Sequence, residues 1–107
     1  MTQTIYLDEL FAQIEARRGA PMDESYSAQL LADLPRAARK LGEEAVEALT
    51  AALAGSDAEL VGEAADVLYH LLVVLAARNV SLDEVMGELA RRQGRSGLVE
   101  KAQRGNT

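Results

Sequence analysis

The sequence predicts an all-α domain, a compact antiparallel bundle of four to five helices. Hydrophobic residues make up 49% of the 107, yet much of that is alanine and aromatics reach only 4%. Such a composition suits closely packed helices and lacks the β-branched and aromatic residues that sheets want. Apolar residues recur at helical spacing in several stretches. Two S-x-x-E patterns, Ser56 with Glu59 and Ser81 with Glu84, read as capping boxes that open helices. The length allows one domain over 1–107 with a single core, 91–107 being a basic tail.

A first helix is expected from Ile5 to Arg18, where Leu7, Leu10, Phe11 and Ile14 share a face. Gly19 and Pro21 break it, and RRGAPMDE reads as a loop. A short helix covers Tyr26 to Asp33. Pro35 belongs in the first turn of the next helix, because it disfavours helical geometry in the residue before it. That helix runs to Ala54 and stops at Gly55. The two capping boxes then open helices from Asp57 to Arg78 and from Ser81 to about Gln93. Connections this short make consecutive long helices antiparallel neighbours. The tail, RSGLVEKAQRGNT, is expected to hold a half-turn or lie over the body.

The charge narrows the function. Net charge is −6, which argues against nonspecific nucleic-acid binding, since that relies on many cations displacing counterions from phosphates. Residues 91–104 carry five cations against one acid, net +4, leaving −10 on the remainder. An acidic body with a basic end can still hold a small polyanion if a metal bridges it to the acids. There is no cysteine, so disulfides and thiolate metal sites are excluded. The longest apolar run, LLVVLAA at 71–77, is too short to span a bilayer. The N-terminus carries Asp8 and Glu9 without a basic segment leading into an apolar one, so no export signal is visible and a cytoplasmic address is expected.

One helix then departs from a merely solvated pattern. In KLGEEAVEAL, Glu43, Glu44 and Glu47 crowd about one turn, although like charges at this spacing weaken a helix by a few tenths of a kcal/mol per pair. Arg36, Lys40, Glu43, Glu44 and Glu47 fall in a sector of about 100°. The core side of that helix is expected at Leu41, Ala45, Ala48 and Leu49. On the following helix Glu63 and Asp66 share a face, beside an apolar stripe of Leu60, Ala64, Leu68, Leu71, Leu72 and Leu75. Gly and Ala flank both acidic sets and would let the helices approach closely. Glu44 and Glu47 with Glu63 and Asp66 then offer four oxygens, a set suited to Mg²⁺ or Mn²⁺. Without a cation they would repel or take up protons. His70, between the two acids in angle, is expected as a hydrogen-bonded, partly buried histidine beside the site rather than a ligand, one that could orient a carboxylate from behind. A di-iron site is excluded, because it wants Glu-x-x-His on two helices and the chain has one histidine and no such motif.

The spacing E-E-x-x-E, fifteen residues, E-x-x-D resembles the signature of the all-α NTP pyrophosphatase superfamily. Four stretches resemble one branch of it, the phosphoribosyl-ATP pyrophosphatases: SYSAQLL at 25–31, KLGEEAVEAL at 40–49, EAADVLYHLLVVLAARNVSLDEV at 63–85 and SGLVEKAQR at 96–104. The resemblance implies Mg²⁺-dependent hydrolysis of phosphoribosyl-ATP to phosphoribosyl-AMP and pyrophosphate, the second step of histidine biosynthesis, by a homodimer. Carried over by position, Glu44, Glu47, Glu63 and Asp66 are its metal ligands, Glu43 is an accessory acid, and Lys40 meets a phosphate.

Two departures stand out. Gln29 occupies a place where the family often has lysine, and LADLPRAARK lacks the family's usual glycine. A single domain suggests the free-standing form rather than a fusion to the next enzyme. In the implied reaction Glu43 or Glu47 accepts the proton of the attacking water, while Lys40, Arg36, Lys101 and Arg104 offset the charge of departing pyrophosphate. Ser25 and Tyr26 either recognise the nucleotide or cap and pack a short helix. The rival readings are a housecleaning NTP pyrophosphatase and a non-catalytic helical module with an acidic face.

Overall fold

The computed structural model describes residues 5–94 together with 97, 101, 102 and 104. Five helices follow in order: α1 Ile5–Ala16, α2 Tyr26–Leu31, α3 Leu34–Ala54, α4 Asp57–Ala77 and α5 Leu82–Arg91. No strand occurs among the described residues. The all-α expectation holds, with boundaries within one or two residues of those predicted. The tail's expected half-turn falls largely outside the described residues.

The start of each helix from α2 on is set by a side chain that satisfies an orphan N–H. Ser25 Oγ accepts from Ala28 N at 3.1 Å, and Asp33 Oδ1 from Arg36 N at 3.1 Å, with Pro35 in the first turn of α3. Both predicted capping boxes form. Glu59 N donates to Ser56 Oγ and Ser56 N to Glu59 Oε1 at 2.7 Å, and the Ser81–Glu84 pair repeats the arrangement. Gly55 makes the turn between α3 and α4 possible: a Cβ there would lie 2.8 Å from Glu59 Oε1 and 3.1 Å from the Ala51 backbone. Helix α4 ends in a Schellman turn, with Val80 N donating to Leu75 O and Asn79 N to Ala76 O. Asn79 takes the left-handed position, φ 60°, which asparagine tolerates better than most side chains.

Helices α3 and α4 form a long antiparallel hairpin, and the core sits at one end of it. Phe11 and Ile14 of α1, Leu30 of α2, Ala37 of α3, Leu72, Val73 and Ala76 of α4, and Leu82 at the start of α5 close on one another there. Arg18 ties the loop after α1 to that end, its Nη2 donating to Ala76 O at 2.8 Å, where a cation also meets the negative end of the helix dipole. Helix α5 buries only Leu82.

Two expected core faces are displaced. On α3 the buried residues are Ala37, Glu44 and Ala51, whereas Leu41 and Ala48 are half-buried and Ala45 and Leu49 exposed. On α4 the face formed by His70, Leu72, Val73 and Ala76 is buried, while Leu60, Ala64, Leu68 and Leu71 are exposed. The reason is that α4 is apolar on two sides, and the expected stripe lies on the side that α1, α2 and α3 leave uncovered. This second apolar side also makes α4 long and apolar enough to cross a membrane by length and composition, with mean hydropathy 1.7. The LLVVLAA run alone hid that. Glu63 and Asp66 nonetheless lie near its middle, where an acidic residue costs about 2.5–3.5 kcal/mol in a bilayer.

Leu30 is fully buried, so Leu30→Ala is expected to destabilise by about 2–5 kcal/mol. Urea unfolding should show a lower midpoint at unchanged slope; an unchanged midpoint would contradict this core. At the end of α5, Arg91 and Arg92 reach Glu88 at 2.7 and 2.9 Å and hold its carboxyl from the usual 4.5 down to about 2. A depressed carboxyl stabilises the fold above its unfolded value and loses that contribution as pH falls through about 4.5 towards 2. Circular dichroism over that window should show less loss of helix in Glu88→Gln than in the parent; equal loss would remove the pair from the account.

Candidate metal centre

Glu44 sits where a core residue would. Ala37, Glu44 and Ala51 recur every seven residues along the inward side of α3, and Glu44 is only 8% exposed. Across from it α4 presents Glu63, half-buried, and Asp66, exposed. One carboxylate oxygen from each of Glu44, Glu63 and Asp66 lies within 4.8 Å of the other two. The small residues on the buried side of α3, flanking Glu44, are Ala37 and Ala51. Gly42 and Gly62, expected to permit the close approach, face open space instead.

The electrostatics are those of a site short of positive charge. Glu63 Oε1 is buried without a hydrogen-bond partner among the described residues, and a buried polar atom of this kind normally has one. Burial pushes the Glu63 carboxyl above the usual range, and the charge of Glu47, a hydrogen bond shared with Glu47, and the charges of Asp66 and Glu44 push it further. A divalent cation among these oxygens reverses both effects. The donor set is all carboxylate, which fits a hard ion such as Mg²⁺ or Mn²⁺.

Not every expected ligand joins the group. Glu47 stands outside the three-oxygen cluster but beside Glu63, and both line a groove of about 420 Å³ with Val46, Thr50 and Glu59. Glu43 turns to the cations: its carboxylate lies 3.3 Å from Lys40 Nζ and 3.8 Å from Arg39 Nε. Lys40 is held above its usual pKa chiefly by Glu43, with Tyr26 and Glu44 adding to it. Arg36, Lys40 and Glu44 succeed one another every four residues, a ladder of about 12 Å along α3.

Beside the ladder an aromatic cluster joins α2 to α4. Asp66 O accepts a hydrogen bond from His70 Nδ1 at 2.9 Å, which leaves Nε2 to accept from the Tyr26 hydroxyl at 3.3 Å. His70 is thus the buried, hydrogen-bonded histidine expected beside the site, but it anchors a backbone turn and a tyrosine rather than a carboxylate. Tyr69, unremarked in the sequence, packs edge-on against His70 and hydrogen-bonds Ser27. Arg36 lies over the Tyr26 ring, 5.8 Å from its centroid. Ser25 caps α2 through its hydroxyl. Lys101 and Arg104 are exposed. Gln29, noted in the sequence only as a missing cation, is instead a partner of Arg36.

The family model described as phosphoribosyl-ATP pyrophosphohydrolase matches residues 7–93. A phosphoribosyl-ATP pyrophosphatase of Erythrobacter litoralis is 60% identical over 94% of this chain and 97% of its own length. Proteins of the same name from Cereibacter sphaeroides and Ruegeria pomeroyi are 60% and 59% identical, each over 92% of this chain. The match takes in α1 from residue 7 and all of α2 to α5, with both acid-bearing helices inside it. The chain belongs to the phosphoribosyl-ATP pyrophosphohydrolase family.

Proposed function

We propose that the chain hydrolyses phosphoribosyl-ATP to phosphoribosyl-AMP and pyrophosphate, the second step of histidine biosynthesis, with Mg²⁺ as cofactor and Mn²⁺ as a working substitute. The observation that carries this reading is the convergence of Glu44, Glu63 and Asp66, with an unpartnered Glu63 oxygen, at the acidic end of the Arg36–Lys40 ladder. The names of the relatives supply the substrate. A cytoplasmic address suits a substrate made and consumed as a charged nucleotide.

Glu44, Glu63 and Asp66 would hold the ion, with Glu47 beside them. When bound, Mg²⁺ supplies charge neutralisation on phosphate oxygens and favours water as a nucleophile. The protein's own part is positioning. Lys40, kept charged by Glu43, and Arg36, held against Tyr26, face the polyphosphate with fixed cations. Water attacks phosphorus, the anhydride bond to the departing pyrophosphate breaks, and its negative charge develops towards that ladder. Glu47 accepts the proton of the attacking water, because it is the acid next to the cluster that the cluster does not use. Glu43 is paired with two cations, so its role is to hold Lys40.

A homodimer belongs to the same proposal. Val46, Leu49 and Leu53 on α3 and Val61 and Leu68 on α4 are exposed, Leu53 to 80%. A second copy seated on this face would cover these side chains.

With phosphoribosyl-ATP as substrate, Glu47→Gln is expected to lower kcat about 10²- to 10⁴-fold while the helical circular dichroism stays unchanged. Full activity in that variant, or equal turnover of ordinary nucleoside triphosphates by the parent, would overturn the assignment. In a thermal-shift assay, Mg²⁺ at a hundred times its Kd should stabilise the parent by about 2.7 kcal/mol. Glu63→Gln should lose that response and melt higher than the parent in EDTA; a variant that keeps the Mg²⁺ shift excludes Glu63 as a ligand. Leu53→Asp should convert a dimer to a monomer in sedimentation velocity, and a parent that sediments as a monomer contradicts the second copy.

A further inference from the structure

We infer that Gln29 is a positioning residue for phosphate binding, holding the Arg36 guanidinium in place over Tyr26 so that the cation faces the substrate's polyphosphate. The inference rests on the hydrolase reading above and adds a residue to it. Arg36 Nη1 donates to Gln29 Oε1 at 3.3 Å, and Gln29 Nε2 donates to Met22 O at 2.6 Å. These two contacts fix which way the amide faces. Turned over, it would set its oxygen against the Met22 carbonyl and its NH₂ against a guanidinium, losing both hydrogen bonds. Gln29 therefore links the loop before α2 to the first turn of α3 as a bridge with one orientation.

Arg36 gains more from this than a hydrogen bond. A guanidinium on a long, flexible stem carries large rotamer entropy, which binding must overcome if the group is free beforehand. Here it is held from two sides, by the Gln29 oxygen at its edge and the Tyr26 ring at its face. Tyr26 is itself tied through His70 to the backbone carbonyl of Asp66. The clamp thus connects mechanically to the turn of α4 that carries a metal-site acid. Neither contact neutralises the charge, because an amide oxygen and an aromatic ring are both uncharged. The cation is placed and left free to meet an anion. A carboxylate at position 29 would hold Arg36 as well but cancel the charge.

The test is a double-mutant cycle between positions 29 and 36, with phosphoribosyl-ATP turnover and, separately, calorimetric binding of inorganic pyrophosphate. Gln29→Met keeps the length of the side chain and removes both polar ends; Gln29→Ala serves as the second variant. Each is expected to raise KM and the pyrophosphate Kd roughly three- to tenfold while kcat changes less than about twofold, with unchanged helical circular dichroism. In an Arg36→Ala background the same change at position 29 should add nothing further, since its effect passes through Arg36. An unchanged KM and Kd, or a loss that multiplies with Arg36→Ala, overturns the inference. If the parent does not turn over phosphoribosyl-ATP, the hydrolase reading fails, and the pyrophosphate cycle still decides whether Gln29 acts through Arg36.

Discussion

Carboxylates drawn together out of water cannot all stay ionised without a counter-charge, and the rest of this molecule is arranged around that constraint. Glu44 stands at a position its helix would otherwise give to alanine, and Glu63 has a buried oxygen, Oε1, with no hydrogen-bond partner among the described residues. A pair of helices with no other purpose would gain from apolar residues at both places, since burying a charge without a partner is costly. The fold instead stabilises the hairpin elsewhere, at the end of α4 where Leu72, Val73 and Ala76 meet Phe11, Ile14 and Leu30. The acid-rich middle of the hairpin is thereby left available for a ligand.

From this centre charge is graded along α3. Acids occupy the middle of the helix, cations its first turns, and a polyphosphate laid along that side meets each sign where its own chemistry wants it. Pairing with Glu43 keeps Lys40 charged, while uncharged partners place Arg36. Two cations one turn apart are thus managed in different ways. The aromatic cluster of Tyr26, Tyr69 and His70 ties α2 to α4 behind them, so the ladder and the acid cluster share one support.

The helices and the acids were legible in the sequence because both are local. Capping boxes, Pro35 and Gly55 act within a few residues of themselves, and i, i+3 and i, i+4 spacing brings acids to one face whatever else happens. The choice between two apolar sides of α4 was not local. Leu60, Leu68 and Leu71 are as hydrophobic as Leu72, and only the path of α1 and α2 decides which side they cover. Glu43 and Glu44 are neighbours in sequence, yet one turns to Lys40 and the other into the hairpin. Their difference of about 100° in helical angle matters only once the position of α4 is known. Gln29 reaches Met22 and Arg36 across turns, and His70 reaches Tyr26 on another helix, partners that no spacing rule encodes.

The central claim is that these carboxylates form a built cation site. Electron paramagnetic resonance of Mn²⁺ titrated into the protein tests it most directly, because bound and free Mn²⁺ give different signals without any turnover. The account predicts saturable binding by the parent, displaced by Mg²⁺ and abolished by Asp66→Asn. Free Mn²⁺ at every protein concentration, or binding that survives loss of both Glu44 and Asp66, would contradict it.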